Sequence, residues 1–134
     1  MPLVGGGGSP NVAGSNPSGT GTSLNYIGDH VYAHSGAVDA NNNATTLVEA
    51  TIGAHYVVAE ITCNAAEDTS VEYMFLIYLD DEQVMGIQTE NDSNIANRFK
   101  VIIPAFAKLK ITAQNVSNTT TNGMCAVVTG RVYA

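Results

Sequence analysis

From Asp29 onward the chain is a series of short runs rich in Val, Ile, Tyr and Thr, separated by clusters of Asn, Asp, Gly and Ser. Runs of this length and composition are typical of β-strands joined by turns. No stretch shows the 3.6-residue period of an amphipathic helix. We count eight runs, which predict strands at residues 29–38, 45–52, 55–64, 71–79, 83–89, 97–103, 108–116 and 124–133.

Alternation of apolar and polar residues indicates which side chains face a core. Tyr73, Phe75 and Ile77 lie on one side of the fourth run. The pair Asp80-Asp81 follows that run where a tight hairpin is needed, and Asp tolerates the positive φ of such turns. These patterns predict an all-β fold, an eight-stranded antiparallel jelly-roll sandwich with strands 1, 8, 3 and 6 in one sheet and 2, 7, 4 and 5 in the other. A seven-stranded sandwich is the alternative.

The first 28 residues differ from the rest of the chain. They hold 8 of the 13 glycines and 3 of the 4 prolines, and they carry no charged side chain. A segment with so little apolar surface does not offset its ordering entropy alone. We therefore predict a flexible Gly-rich N-terminal arm at residues 1–28 and one β-sandwich domain at residues 29–134. Leu3, Val4 and Val12 are the side chains by which the arm would contact a neighbour.

The overall charge excludes two classes of partner. Twelve acidic and five basic residues give a formal net charge of −7, which is the wrong sign for binding nucleic acid or anionic lipid.

The longest uninterrupted apolar run, residues 73–79, is far shorter than the roughly 18 residues of a membrane-spanning helix. The N-terminus has neither the charged region nor the apolar region of a secretory signal.

The charges are also unevenly distributed. All the acidic residues lie between Asp29 and Asp92, and all the basic residues follow them. Arg98 and Lys100 lie on the outward face of one predicted strand, and Lys108 and Lys110 lie on the outward face of the next. We expect them to form a basic patch that contacts an acidic surface, for example that of a second copy of the chain. The alternative is a solvated face without a partner.

The fourth predicted strand is apolar on its second face as well, where Met74, Leu76 and Tyr78 alternate with the inward set. A strand that is apolar on both faces is covered on both. One sandwich buries only one face, so we expect the other to pack against a neighbouring subunit or the N-terminal arm. These three residues therefore predict an oligomer interface, and we expect a homotrimer.

Residues with reactive side chains do not form a catalytic or metal-binding motif. His30, His34 and His55 lack an accompanying zinc motif and are interpreted as surface histidines. Cys63 and Cys125 fall in neighbouring strands of the predicted order; two buried thiols are favoured over a disulfide because no secretion signal precedes them. The sequence therefore predicts no enzyme, no bound metal and no cofactor.

Four segments together resemble small jelly-roll virion proteins of tailed bacteriophages. They are NYIGDHVYAHSG at 25–36, IYLDDEQV at 77–84, IIPAFAKLKITAQNVS at 102–117 and the closing TGRVYA. The resemblance implies a capsid decoration (cement) protein, a homotrimer bound to the major capsid protein on the outer surface of the virion after synthesis in the host cytoplasm. Such proteins often use a terminal arm to reach a neighbour.

Two other functions remain open. A carbohydrate- or receptor-binding β-sandwich of a fibre or spike has the same fold, but it normally uses exposed aromatic rings, and this chain contains no Trp. A subunit that itself forms the capsid shell is the third interpretation, disfavoured by the short folded region and the acidic charge.

Overall fold

The alternating runs form ten β-strands in the computed structural model, which describes residues 24–66, 71–88 and 97–133. The strands are β1 Asn25–Ile27, β2 His30–His34, β3 Val38–Ala40, β4 Thr45–Thr51, β5 Tyr56–Ala65, β6 Tyr73–Leu79, β7 Glu82–Gln88, β8 Asn97–Ile103, β9 Lys108–Asn115 and β10 Asn122–Tyr133. No candidate membrane-spanning helix is found in these three ranges.

The strands form two antiparallel sheets. Sheet A has the order β1-β2-β10-β5-β8, with β3 also paired to β10, and sheet B has the order β4-β9-β6-β7. The eight long strands therefore follow the predicted orders, 1-8-3-6 in sheet A and 2-7-4-5 in sheet B. This arrangement is the predicted jelly-roll sandwich.

The first predicted strand is divided into β2 and β3, and both pair with β10. Ser35 continues the pairing after β2, because its N–H donates to the carbonyl of Ala126 at 3.0 Å and its Oγ accepts the N–H of Ala126 at 2.9 Å. Gly36 then adopts a φ of 68°, and pairing resumes between Val38 and Met124. The interruption is a bulge that adds one residue relative to β10, and glycine adopts its positive φ without steric cost.

Strand pairing begins before the predicted start of the domain at Asp29. Asn25 and Ile27 in β1 pair with Tyr32 and His30 of β2, and Gly28 has the positive φ of the tight turn between the strands. Tyr26 packs against the core, and burial raises the pKa of its phenol. Residues 24–28 thus lie within sheet A, whereas residues 1–23 are outside the described range.

The core lies between the inner faces of the sheets. The predicted inward residues Tyr73, Phe75 and Ile77 of β6 are buried, as are Leu109 and Ile111 of β9. Sheet A contributes a matching set of small and β-branched side chains: Val31, Ala33, Val57, Ala59, Ile61, Ile103, Ala126 and Val128. Interdigitation of the two faces buries the apolar side of the central strands. Phe99 and Val101 of β8 are half-buried, and β7, at one edge of sheet B, is mostly exposed.

The connections divide between the two ends of the sandwich. The short connections β4–β5, β6–β7 and β8–β9 lie at the same end as the β1–β2 turn and the end of β10, because Tyr133 pairs with Tyr56 at the start of β5. We call this the short-loop end. At the opposite end, Asn115 is buried and satisfied within its own loop, where its amide donates to Asn118 Oδ1 and the Thr120 carbonyl.

Candidate interaction surface

The β8–β9 connection at the short-loop end presents an exposed aromatic side chain. Residues 104–107 form a β-turn in which the Ala107 N–H donates to the Pro104 carbonyl at 3.2 Å. Phe106 occupies its third position with a φ of 66°, and 71% of the residue is exposed. Its N–H donates to the Gly53 carbonyl at 2.9 Å, which joins this turn to the β4–β5 connection. A φ in this region favours Gly or Asn, so a bulky aromatic residue here is unusual.

Four further large apolar residues are exposed at the same end, on the outer face of sheet A. Tyr56 and Tyr133 are cross-strand partners whose rings stack with centroids 5.5 Å apart and planes 13° apart. Two residues further along these strands, Ile102 of β8 is the cross-strand partner of Val58 of β5. Ile27 lies in β1, at the opposite edge of sheet A, in the same line of cross-strand partners. We define the end patch as Ile27, Tyr56, Ile102, Phe106 and Tyr133, each exposed by 41% or more.

Several charged residues at the short-loop end pair within the chain. Arg131 forms an ion pair with Asp29, and its hydrogen bond lowers the pKa of that carboxyl. Lys108 Nζ lies 3.1 Å from Asp81 Oδ1 and 3.6 Å from Glu49 Oε2, and these carboxylates raise its pKa. The exposed residues Asp80 and Glu82 of the β6–β7 hairpin add two negative charges near Lys108, on the sheet B side of this end. Side chains of both charges therefore stand at this end of the sandwich.

The predicted interface residues Met74, Leu76 and Tyr78 lie together on the outer face of sheet B, as expected from their alternation. They are half-buried within the single chain, and so are less exposed than the end patch. Leu76 lies over Gly86 of β7, where an added Cβ would be 3.2 Å from Leu76 Cδ2. Leu76 also stands beside Thr112, which is buried although it is on the outer face.

The expectation of one basic patch is wrong. Arg98 and Lys100 stand on the outer face of sheet A, opposite Thr62 and Glu60 of β5. Lys108 and Lys110 stand on the outer face of sheet B, opposite Thr51 and Glu49 of β4. Because β8 belongs to sheet A and β9 to sheet B, the two pairs lie on opposite sides of the molecule.

The basic half of the sequence also pairs with the acidic half inside one chain. Lys110 and Glu49 are cross-strand partners, and so are Lys100 and Glu60. Together with the ion pairs of Lys108 and Arg131, these pairings place the late basic residues against the early acidic ones. The uneven charge distribution of the sequence therefore gives no argument for self-association.

The two cysteines lie in adjacent strands, as predicted, but on opposite faces of sheet A. Cys63 of β5 pairs with Ala126, and Cys125 of β10 pairs with Asn64, an offset of one residue. Both thiols are free. Cys63 is buried, and burial raises its pKa to about 12. Cys125 is only half-buried and donates to the Asn64 carbonyl at 3.6 Å, so the expectation of two buried thiols is correct for Cys63 alone.

The histidines do not meet at one place. His30 and His34 share the outer face of sheet A, where the ring of His34 lies 5.2 Å from that of Tyr32. His55 lies in the β4–β5 connection and is exposed. Over the three described ranges, no cluster of three or more His, Cys, Asp or Glu side chains could hold a metal ion. The candidate arm residues Leu3, Val4 and Val12 are outside the described residues.

The sequence analysis did not identify the end patch as a candidate surface. Ile102 is one signal that could have revealed part of it. Phe99, Val101 and Ile103 face inward, so Ile102 faces outward, where an alternating strand normally has a polar residue. The Tyr56–Tyr133 pair depends on the register of β5 against β10, which no local pattern contains.

Comparisons with known proteins find similarity at a low level only. No protein-family model and no curated protein sequence matches the chain. Among solved structures, the chain is similar to the insecticidal delta-endotoxin Cry8Ea1 of Bacillus thuringiensis, with 11% identity, a TM-score of 0.46, and coverage of 73% of this chain and 20% of the toxin.

Two further solved structures are similar at the same low level. The VP2 subviral particle of infectious bursal disease virus has 11% identity and a TM-score of 0.41 over 80% of this chain and 34% of that one. A family 35 carbohydrate-binding module from an environmental isolate has 14% identity and a TM-score of 0.35, over 86% and 75% of the two chains. The chain spans about a fifth to a third of the first two proteins.

Proposed function

We propose that this chain is a non-enzymatic structural protein of a virion, a capsid decoration protein that binds the major capsid protein on the outer surface of the head. The observation that carries the proposal is the end patch, which concentrates large apolar side chains at one end of a jelly-roll sandwich. Monomeric proteins seldom expose a group of large apolar residues unless it binds another molecule. In this proposal the protein is made in the host cytoplasm and needs no cofactor.

Self-association into a homotrimer is part of the proposal. The outer face of β6, with Met74, Leu76 and Tyr78, supplies its contact, because these side chains form an apolar row in the centre of sheet B. Sedimentation equilibrium at micromolar concentration measures the stoichiometry directly. A trimer that becomes monomeric in Leu76→Asn supports this contact, and a wild-type monomer rejects the trimer.

The N-terminal arm supplies attachment to a neighbouring subunit, through Leu3, Val4 and Val12. Its uncharged residues lie against another protein without desolvating an ion. Ordering each arm costs roughly 1–2 kcal/mol per residue for the backbone, so attachment depends on avidity across many copies.

Reconstitution tests the proposed function. Full-length protein and a variant lacking residues 1–23 are mixed with undecorated shells assembled from the major capsid protein of the same particle. Electron microscopy then gives the occupancy, and heating gives the temperature of shell disruption. Saturable binding with a higher disruption temperature is the expected result for the full-length protein. Absence of binding to these shells would reject the decoration function.

A second candidate function is carbohydrate binding, and one observation favours it. The stacked rings of Tyr56 and Tyr133 are partly exposed on a sheet face, and aromatic faces of this kind stack on sugars. Calorimetric titration with soluble polysaccharides tests it, with Tyr133→Ala as the disabled variant and Val116→Ser, at the opposite end, as the control. Binding that is lost only in Tyr133→Ala would favour this function.

A further inference from the structure

β7 is a poorly protected edge strand. It pairs only with β6 in the described part of the chain, and its Val84 and Met85 are 48% and 37% exposed. Residues 83–88 include no charged residue and no proline, although natural edge strands use both against pairing with another chain. A bulge at Val84 interrupts the strand, and residues 85–88 pair regularly with β6. This regular stretch is open to a further strand.

β8, an edge of sheet A, lies on the same side of the sandwich as β7. β3 lies against β4 and β9, so the β4 edge of sheet B stacks on the β2–β3 side of sheet A, and β7 stacks on the β8 side. Met85 and Ile87 of β7 and Phe99 and Val101 of β8 point between the sheets at this side, and none of them is fully buried. At the other side, Val48 of β4 is buried. We call the four partly exposed residues the open seam.

Strand direction makes a second copy of the chain a fitting occupant of the seam. In the described ranges, no backbone group of residues 82–88 or 98–103 bonds beyond β6 or β5, so both margins of the seam accept a strand. β7 runs from the short-loop end to the opposite end, and β8 runs back. A copy rotated about an axis parallel to the strands therefore brings its β8 antiparallel to β7.

Charge distinguishes this pairing from that of two β8 strands. Arg98 and Lys100 stand on the outer face of β8, and no carboxylate of the described residues lies within 4 Å of either. Two β8 strands would oppose these cations. Gln88, the last residue of β7, donates its amide to Glu72 Oε1 at 2.9 Å, at the same end of the sandwich as Arg98. Antiparallel pairing of β7 with β8 therefore brings Arg98 of one copy toward Glu72 of another.

We infer that β7 of one copy pairs with β8 of the next copy in the homotrimer, and that three open seams meet on a three-fold axis parallel to the strands. This inference rests on the proposed function, because it names the contact by which the proposed trimer forms. The contact is heterologous, and in a closed ring of three copies it leaves neither edge unpaired. The outer-face row of β6 stands one strand from β7, so it belongs to the same contact.

Amide hydrogen exchange of the full-length protein tests the pairing directly. In β7 and β8, alternate backbone N–H groups point away from β6 and β5. These groups should be protected in the trimer, because they donate to the strand of a neighbouring copy. The N–H groups of Ser117, Asn118 and Thr120 are the control, since they bond within their own loop and their exchange is independent of assembly.

Met85→Lys places a charge in the open seam, where an inward-pointing charged residue blocks edge pairing. Sedimentation equilibrium should change from about three times the chain mass of 14.0 kDa to a single chain, and the protection of both edges should be lost. Val116→Lys is the matched control, because Val116 is 41% exposed but lies outside both edges, and this variant should stay trimeric. Circular dichroism during heating shows whether both variants are folded.

The outcomes separate this inference from the trimer on which it rests. A wild-type monomer would reject the trimer and the pairing together, while binding to shells is measured independently. A wild-type trimer with unprotected edge amides, or one that Met85→Lys leaves intact, would overturn the pairing while the trimer stands. Protection lost on removal of residues 1–23 would assign the edges to the arm and also overturn the pairing. If Met85→Lys does not fold, exchange in the wild-type trimer decides.

Discussion

Gly130 lies at a position of sheet A that leaves no room for a side chain. It lies in β10 opposite Ala59 and Val31, and an added Cβ would lie 2.4 Å from the Val58 carbonyl oxygen and 2.8 Å from Ala59 Cα. Both atoms belong to a backbone paired on each side, so neither moves away easily. Close approach of β5 and β10 therefore depends on the absence of a side chain here.

Gly130→Ala should destabilise the protein by about 2–3 kcal/mol, because the new methyl group forces apart two central strands. Chemical denaturation monitored by circular dichroism measures the change. Gly53→Ala is the matched control, since a Cβ there meets nothing within 4 Å, and its effect should stay within about 0.5 kcal/mol. Equal stabilities for the two variants would contradict the close approach at Gly130.

The two thiols should react at very different rates in the folded protein. At pH 8 the Cys63 thiol is buried and remains protonated, because its pKa is raised to about 12, whereas Cys125 is half-exposed. A chromogenic disulfide reagent should modify one thiol in the native state and the second only after unfolding. Cys125→Ser should abolish the native-state reaction. Two thiols that react at the same rate would show that Cys63 is accessible.

The cysteines also show how far a sequence predicts individual residues. Their placement in neighbouring strands was predicted correctly, because it follows from strand order alone. Their faces depend on register, and a shift of one residue moves a side chain to the other side of a sheet. Register between β5 and β10 is set by contacts across the whole sheet, so a local pattern does not contain it.

At the scale of elements, the β6–β7 hairpin is the clearest link between sequence and structure. Asp80 and Asp81 have φ values of 52° and 68°, as the sequence predicted for a two-residue hairpin loop. The Lys108 N–H donates to Asp80 Oδ1 at 2.9 Å, and the Asp80 N–H donates to the Lys108 carbonyl at 2.9 Å. The hairpin is thereby fastened to the start of β9.

Asp80→Ala should destabilise the protein by about 1–2 kcal/mol, because Ala tolerates the positive φ poorly and leaves the Lys108 N–H without this acceptor. Asp80→Asn keeps both properties and should remain close to wild type. Thermal unfolding of the two variants provides the comparison. A stable Asp80→Ala with a destabilised Asp80→Asn would reverse the expected order and show that charge, not geometry, stabilises the turn.

The basic residues show where prediction at this scale failed. Outward alternation was predicted correctly for β8 and β9, since both pairs of basic residues are on outer faces. The single patch was wrong because the two strands belong to different sheets. Periodicity states which side of a strand is polar, but only the connection between sheets determines whether two polar sides meet.

At the scale of the whole molecule, the boundary of the domain is the feature most open to experiment. The sequence predicts a folded unit that starts at Asp29, whereas β1 pairs with β2 from Asn25 onward. Asn25 is buried and Tyr26 packs against the core. The five residues from 24 to 28 therefore contribute to sheet A without forming the centre of it.

A chain that lacks residues 1–28 should still unfold cooperatively, but at a lower temperature than one that lacks residues 1–23, because only the longer deletion removes β1. Differential scanning calorimetry of both deletions and of the full chain measures this. If the longer deletion alone loses its cooperative transition, the folded unit includes β1 and the boundary predicted at Asp29 is wrong.

The strand order was predictable because eight alternating runs of similar length have few ways to form two packed sheets. The end patch was not, since it joins residues from β1, β5, β8, β10 and the β8–β9 turn that only the finished topology brings to one end. Surfaces of this kind arise from the arrangement of strand ends, and no single segment contains them.

The central place of β10 in sheet A determines when the domain can fold during its synthesis. Residues 122–133 pair with β2, β3 and β5, so the middle of this sheet is empty until the ribosome has translated them and they have left its exit tunnel. Until then β2 and β5 carry unpaired edges and their inward apolar residues remain uncovered. Sheet A therefore closes only after residues 122–133 have left the ribosome, and chains truncated before residue 122 should be sensitive to proteases.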